Sequence, residues 1–144
     1  MPIFPRFALY IAVLACGLIT APAQAGDRAL ARRYLDEGLA YYRKGSLEKS
    51  LNSLSSALDE DKGLQAAHGA RALVHHALGY DAKMREDLRD ARNMAAADPQ
   101  SFVIRGNVRL LAGDVAKALE DFKAALKKDK DNADAVLGRG RAER

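Results

Sequence analysis

The chain of 144 residues is poor in cysteine, tryptophan and proline, and these absences exclude several classes of protein. It holds one cysteine, Cys16, no tryptophan and four prolines. A single thiol can form neither an intramolecular disulfide nor a zinc site of several cysteines, which excludes a disulfide-stapled scaffold and a zinc-cysteine domain. The 23 lysines and arginines are offset by 19 aspartates and glutamates without blocks of like charge, so nothing indicates nucleic-acid binding.

Motifs of catalysis are also missing. The sequence has no H-E-x-x-H zinc motif, no phosphate-binding P-loop and no G-x-S-x-G nucleophile elbow. Three histidines, His68, His75 and His76, fall on one predicted helix. His68 and His75 are separated by roughly 10 Å along the helix axis, too far to share one metal ion, so we interpret them as packing residues with polar edges. We predict no catalytic activity, no metal site and no cofactor.

The N-terminal segment, residues 1–25, differs in composition from the rest. Arg6 precedes an uncharged, strongly apolar run from Phe7 to Thr20, and the segment ends in the small residues around Ala23 and Ala25. A basic start, an apolar stretch and an A-x-A end are typical of a secretory signal peptide. We predict cleavage after Ala25, so that residues 26–144 are periplasmic or secreted and have no stable insertion in the membrane.

Two other interpretations of this segment stay open. Residues 7–26 are uncharged over a length that could span a bilayer, so the segment could remain as an uncleaved anchor, although Pro22 and Gln24 disfavour a membrane helix. The residues up to Cys16 could form a lipoprotein signal, but the apolar run continues beyond Cys16. We favour cleavage after Ala25 over both.

The remainder of the chain is a repeat with one fixed period. Four series of residues recur at the same spacing: Gly45, Gly79 and Gly113; Leu54, Leu88 and Phe122; Ala57, Ala91 and Ala125; and the small residues Gly38, Ala72, Gly106 and Gly140. A fixed period of this size indicates stacked supersecondary units. We expect Gly38, Ala72 and Gly106 to let the two helices of a unit approach closely, and the alanines to let successive units stack.

Within each unit the periodicity is helical, because apolar and small residues recur at spacings of three and four. Gly45 supplies the left-handed residue that ends the first helix, and Ser46 can cap the second. In the third unit Asp98 can cap a helix that has Pro99 at its first position, and Asp114 caps the helix that follows. The sequence predicts two antiparallel helices per unit and no sheet.

Charged residues follow the same period. Arg71, Arg105 and Arg139 recur at the spacing of the glycine series, and so do Asp87 and Asp121. The arginines could form a basic ladder for an anionic ligand, or they could pair with the aspartates inside the stack. We favour pairing, which would fix the register of the helices more than it would add stability.

These residues resemble the tetratricopeptide repeat (TPR), a 34-residue helix–turn–helix family with the pattern W-x2-L-G-x2-Y…A-x3-F…A…P. The matching residues are Tyr34, Gly38, Tyr41, Leu54 and Ala57; His68, Ala72, His75, Met84, Leu88 and Ala91; Phe102, Gly106, Ala118, Phe122 and Ala125; and Val136 and Gly140. The resemblance implies an all-α, right-handed superhelical stack of about three and a half repeats in residues 26–144. The repeats lie near 31–64, 65–98 and 99–132, with a capping helix at 133–144.

The resemblance also implies that the first helix of each repeat lines a concave groove for a peptide. Carried onto this sequence, the groove residues are Leu35, Leu39, Tyr42, Arg43, Leu73, His76, Asn107, Leu110 and Arg141, with Arg32, Gln100, Val103 and Leu137 beside them. The Lys and Asn clamp that some relatives use for a peptide's terminal carboxylate is absent, because Leu35 and Leu39 stand in its place. Whether these two leucines face the groove or only pack against the neighbouring helix stays open.

We therefore predict a non-catalytic protein-interaction module, or adaptor, that binds an unidentified peptide or protein in the cell envelope. Arg43 and Arg141 favour an acidic partner, and His76 predicts binding that changes as the pH crosses about 6.5. The alternative is a structural protein: a self-associating or membrane-tethered scaffold, such as a homo-oligomer, whose groove is occluded.

Overall fold

The computed structural model describes residues 27–144, so the predicted signal peptide and its cleavage site lie outside the described residues. Residues 27–144 form seven α-helices and no strand, as the sequence predicts. The helices are α1 (Arg28–Arg43), α2 (Leu47–Glu60), α3 (Gln65–Ala77), α4 (Asp81–Ala91), α5 (Pro99–Leu111), α6 (Val115–Lys128) and α7 (Ala133–Ala142).

Glycine turns join the helices of each pair. Gly45 lies between α1 and α2, Gly79 between α3 and α4, and Gly113 between α5 and α6, with φ angles of 73°, 74° and 83°. A side chain is disfavoured in this left-handed conformation, which explains why glycine recurs once in every period. The predicted helix–turn–helix units are therefore confirmed for three repeats, and α7 begins a fourth.

Two of the three predicted helix caps are confirmed. The Asp98 carboxylate accepts a hydrogen bond from the backbone N–H of Ser101, whose hydroxyl in turn accepts from the N–H of Asp98. Asp114 accepts from the N–H of Lys117. The cap predicted at Ser46 is wrong, because its side chain makes no capping bond; its backbone N–H instead closes the glycine turn onto the carbonyl of Tyr41 at 2.9 Å.

The helices of a pair approach each other where the first helix carries glycine. A Cβ atom on Gly38 would lie 2.6 Å from Cγ of Leu54, and one on Gly106 would lie 2.7 Å from Cε1 of Phe122. These distances are shorter than van der Waals contact, so the close approach predicted at this register is confirmed at both glycines.

The fourth member of this series, Gly140, behaves differently. A Cβ atom there would have no atom within 4 Å among residues 27–144. The residue of α7 that packs tightly is Gly138, which faces the ring of Phe122 beside the buried Ala135. α7 therefore rests on α6 through the side of the helix that carries Ala135 and Gly138, and Gly140 takes no part in this contact.

The repeats stack through the alanine series, because Ala57, Ala91 and Ala125 are at most 1% exposed. The second repeat departs from its neighbours: α4 has 11 residues, whereas α2 and α6 have 14 each. Residues 92–98 leave the helix, and Met94 folds back into the core, where it is 4% exposed. Between residues 27 and 144 no helix has the length and apolar character needed to cross a membrane.

Candidate functional site

The main candidate site is a cavity of about 510 Å³ where the first helices of the repeats converge. We call it the groove. It is lined by Leu39, Tyr42 and Arg43 from α1, Leu73 from α3, Gln100, Val103, Ile104 and Asn107 from α5, and Asn132, Asp134, Leu137 and Arg141 from α7 and its N-cap. Leu39, Leu73, Val103 and Ile104 are at most 8% exposed and form an apolar floor, whereas Leu137 is 58% exposed at the edge.

Six of the nine predicted groove residues come together here, namely Leu39, Tyr42, Arg43, Leu73, Asn107 and Arg141. Leu35, His76 and Leu110 lie outside the groove. Leu35 is buried in the core and lines a neighbouring cavity with Arg32 and Gln100, and His76 is exposed near the end of α3. Leu39 is also a core residue, so it packs against its neighbours and lines the groove at once.

Ile104, Asn132 and Asp134 line the groove but are not among the residues predicted from the sequence. Asn132 is the N-cap of α7, where its side-chain oxygen accepts a hydrogen bond from the N–H of Ala135 at 2.9 Å. The capping asparagine and the aspartate of the first helical turn are visible in the sequence as a helix start. What the sequence does not reveal is that this helix start lies opposite the end of α1.

One ion pair joins the two ends of the stack across the groove. Nε of Arg43 on α1 donates to Oδ2 of Asp134 on α7 at 2.6 Å, between side chains that are 49% and 34% exposed. The backbones of α1 and α7 do not come into contact, so these side chains bridge an open space. With Arg141 added, the groove carries two cations and one carboxylate, and a ligand carboxylate could compete with Asp134 for Arg43.

Two polar side chains of α5 add hydrogen-bonding groups to the groove. Asn107 donates from Nδ2 to the carbonyl of Val103 at 3.0 Å, which holds the amide in place on its own helix. Gln100 donates from Nε2 to Oδ1 of Asp36 on α1 at 3.0 Å. The lining combines apolar side chains with the guanidinium groups of Arg43 and Arg141, so this surface can bind apolar and acidic groups.

Two of the three periodic arginines are committed to pairs with aspartates inside the stack, as predicted. Arg71 donates to both oxygens of Asp87 at 2.7 and 2.8 Å, and Arg105 makes the same kind of pair with Asp121 at 2.7 Å. Because both guanidinium groups are engaged with carboxylates, the alternative of a basic ladder for a ligand is wrong for Arg71 and Arg105. Among residues 27–144, Arg139 has only a long contact of 3.7 Å with Glu143 on its own helix, so the predicted pairing with an aspartate does not occur there.

Asp87 also explains the two packing histidines. Nδ1 of His68 lies 3.0 Å from Oδ1 of Asp87, and Nε2 of His75 lies 3.5 Å from Oδ2. Burial lowers the pKa of His75, while Asp87 acts in the opposite direction. The hydrogen bond to Asp87 raises the pKa of Arg71. Residues 27–144 contain no group of His, Cys, Asp and Glu that could hold a metal ion.

Comparison with known proteins identifies solved structures that have a similar architecture. No protein-family model and no curated protein matches the chain. The first TPR domain of Spaghetti (RPAP3), solved bound to the HSP90 peptide SRMEEVD, is 18% identical with a TM-score of 0.50, over 83% of this chain and 95% of that one. The first TPR domain of human RPAP3 is 17% identical with a TM-score of 0.51, over 81% and 91%.

The TPR domain of Sgt2 from Aspergillus fumigatus is similar to the same degree. It is 18% identical with a TM-score of 0.51, over 79% of this chain and 77% of that one. All three structures are TPR domains, and each match spans most of both chains. The chain therefore has the fold of a TPR domain, which confirms the predicted stack of helical repeats.

Proposed function

We propose that the protein is a non-catalytic interaction module that binds a peptide, or an exposed segment of a partner protein, in the groove. The observation that carries this proposal is the combination, in one cavity of about 510 Å³, of an apolar floor with the guanidinium groups of Arg43 and Arg141. In protein interfaces, anchors buried in a pocket supply most of the affinity, and charges set orientation and rate.

The charges of the groove favour an acidic ligand. Arg43 and Arg141 outnumber Asp134, and a ligand carboxylate would replace Asp134 beside Arg43. The similar domain of Spaghetti was solved with a peptide, SRMEEVD, that has three acidic residues and one basic residue. That domain's ligand supports the class of ligand proposed here, a short acidic segment with apolar side chains.

Selection from a displayed library of random peptides tests this proposal. The purified protein serves as bait, and a variant with Arg43→Ala and Leu137→Ala serves for counter-selection, because both side chains are largely exposed and their loss leaves the core intact. We expect enriched peptides to be acidic, to carry an apolar residue and to bind the double variant at least tenfold more weakly. Enriched peptides that bind both proteins equally would contradict a groove site.

The scaffold alternative rests on the exposed apolar residues Val136 and Leu137 of α7, 45% and 58% accessible, which a second copy could cover. Light scattering separates the two candidates. A monomer leaves the groove accessible and agrees with the interaction module. A dimer that dissociates when Leu137 is replaced by Ala would favour the scaffold.

We also propose that the protein acts in the cell envelope, either in the periplasm or outside the cell. The basic start, the uncharged run and the A-x-A end of residues 1–25 support export with cleavage between Ala25 and Gly26. The intact mass of the exported protein should correspond to residues 26–144, and Ala25→Arg should block processing. An exported protein that retains residues 1–25 would overturn the cleavage.

A further inference from the structure

The junction between the second and third repeats is more open than the other two. α4 packs on α5 less closely than α2 packs on α3 or α6 on α7. Leu88 has the register of Leu54 and Phe122, which are fully buried, yet Leu88 is only partly buried. Where its equivalents belong to the core, Leu88 faces a cleft.

This cleft has a volume of about 670 Å³ and lies between α4 and the turn from α5 to α6. Its apolar floor is formed by the buried Val108 and the half-buried Leu88, and the exposed Ala112 lines the cleft beside them. None of the residues that line it lines the groove, so it is a separate surface.

Cations dominate the walls of the cleft. Arg85, Arg89, Arg92, Arg109 and Lys117 face a single carboxylate, Asp114. The protein as a whole is nearly balanced in charge, with a formal net charge of only +4, so a concentration of five cations against one anion is well above its average. Such a cleft attracts anions from solution.

The five cations are not equally free. Arg109 is held by Asp121 at 2.7 Å, and Lys117 by Asp114 at 2.9 Å. Arg85 and Arg92, in contrast, form no ion pair among residues 27–144. They leave guanidinium groups available to a ligand in the middle of α4 and at its C-cap, and between them Arg89 has a contact of 3.6 Å with Asp90.

Arg85, Arg89 and Arg92 recur at spacings of four and three and therefore lie on one face of α4 and its C-cap. The three guanidinium groups therefore concentrate positive charge along one side of the cleft.

We propose that the cleft binds an acidic segment of a partner protein, whose carboxylates meet Arg85, Arg89 and Arg92 and whose apolar side chain covers Leu88 and Val108. The stripe extends roughly 10 Å along the helix axis, so two or more carboxylates are needed to satisfy it. Arginine is suited to this role because its planar fork binds a carboxylate through two parallel hydrogen bonds. This inference does not depend on the groove.

Two other anionic partners fit the cleft less well. None of the side chains that line it is aromatic, so it offers no platform on which the bases of a single-stranded nucleic acid could stack. Its two large apolar side chains, Val108 and Leu88, are buried and half-buried, whereas binding to a lipid surface requires apolar side chains that project into the headgroups. A segment with acidic and apolar side chains satisfies both the walls and the floor.

The probe is a short dye-labelled peptide that repeats the triplet glutamate-glutamate-leucine, with a matched peptide in which glutamine replaces glutamate. Fluorescence anisotropy at physiological salt should show saturable binding of the acidic peptide alone. The double variant Arg85→Ala, Arg92→Ala should bind it about tenfold more weakly. The control Lys123→Ala, Lys127→Ala removes the same charge from exposed positions of α6 outside the cleft and should change the affinity less than twofold.

Three results would overturn the proposal. Equal weakening by the cleft variant and the α6 control would show attraction to net charge alone. Loss of binding in an Arg43→Ala, Arg141→Ala variant, with the cleft variant unaffected, would place the peptide in the groove and leave the proposed function intact. Binding to phosphatidylglycerol vesicles but not to the peptide, lost in the cleft variant, would identify a lipid surface instead.

Discussion

The second and third repeats bury a carboxylate at the same register but neutralise it with different chemistry. Asp87 and Asp121 are 1% and 2% exposed and lie one period apart in the sequence. Asp121 is held by two arginines, Arg105 and Arg109, each at 2.7 Å. At Asp87 the place of Arg109 is taken by His75, and the remaining partners are Arg71 at 2.7 Å and His68 at 3.0 Å.

The difference shows how one repeat pattern yields two kinds of junction. The third repeat pairs its carboxylate with permanent charges. The second relies partly on histidines, and Nδ1 of His75 is buried without a hydrogen-bond partner among the described residues. Packing follows the same division: Gly106 accommodates the ring of Phe122, whereas the second repeat has Ala72 and the half-buried Leu88 at the equivalent positions. The charge pairing and the helix packing are therefore less strictly determined in the second repeat than in the third.

The largest effect should come from neutralising the two carboxylates. Asp121→Asn leaves two guanidinium groups without a charged partner, and removal of one member of a buried pair typically costs about 3–5 kcal/mol. Because Arg105 and Arg109 are 22% and 28% exposed and can reach water, we expect about 2–4 kcal/mol in the free energy of unfolding. Urea denaturation measures this loss.

Asp87→Asn is the matched variant in the second repeat. It leaves one arginine and two histidines, so its cost at pH 8 should be smaller than that of Asp121→Asn by about 1 kcal/mol or more. Equal costs at the two sites would mean that the histidines hold Asp87 as firmly as arginine holds Asp121, and the contrast between the repeats would fail.

A smaller effect is expected from filling the glycine register. Gly106→Leu forces a side chain into the ring of Phe122, and overpacking of this kind costs about 1–3 kcal/mol. The melting temperature should fall by several degrees, since about 1 kcal/mol shifts a domain of this size by roughly 2–8 °C. Gly140→Leu is the control at the same register, where the space is open, and should leave the midpoint almost unchanged.

The smallest expected difference between the second and third repeats lies in how their contributions to stability change with pH. Burial lowers the pKa of His75 in the folded protein, so the unfolded chain takes up a proton at a higher pH than the folded one. The free energy of unfolding should therefore decrease as the pH falls below about 6.5, the ordinary pKa of histidine.

His75→Gln should flatten this part of the stability profile, measured by thermal denaturation between pH 8 and pH 5. Arg109→Gln removes the residue at the equivalent position of the third repeat and should lower stability without changing the slope. If both variants keep the wild-type slope, His75 is not the group that links stability to pH.

The repeat period predicts much of the fold, because each repeated residue is explained either by its own backbone conformation or by its contact with one other residue. Gly45 is needed for a left-handed turn, and Gly106 is needed for the close approach of two helices. Because the arginine series and the aspartate series recur with the same period, the sequence already indicates that Arg105 pairs with Asp121. The early end of α4 is not predictable in this way. Met94 has the register of the polar residues Glu60 and Lys128, and its burial draws residues 92–98 out of the helix.

The groove is less predictable than the fold, because it depends on where the ends of the stack meet. A helical pattern places Leu39 and Tyr42 on one face of α1, but the bridge from Arg43 to Asp134 joins residues 91 positions apart. The expectation of His76 beside Tyr42 rests on the family alone. His76 is offset by one position from the buried His75, and this rotation directs it away from the groove. The expectation of pH-dependent binding through His76 therefore loses its basis.

If the groove is the ligand site, the Tyr42→Ala variant should bind a selected peptide more weakly than the wild-type protein does. Tyr42 is partly buried at the edge of the apolar floor, so its loss should weaken binding by about 1–2 kcal/mol while helicity by circular dichroism is unchanged. Lys123→Ala, an exposed change on α6 outside the groove, should have no effect. Isothermal titration calorimetry that gives one affinity for wild type and both variants would contradict the groove as the site.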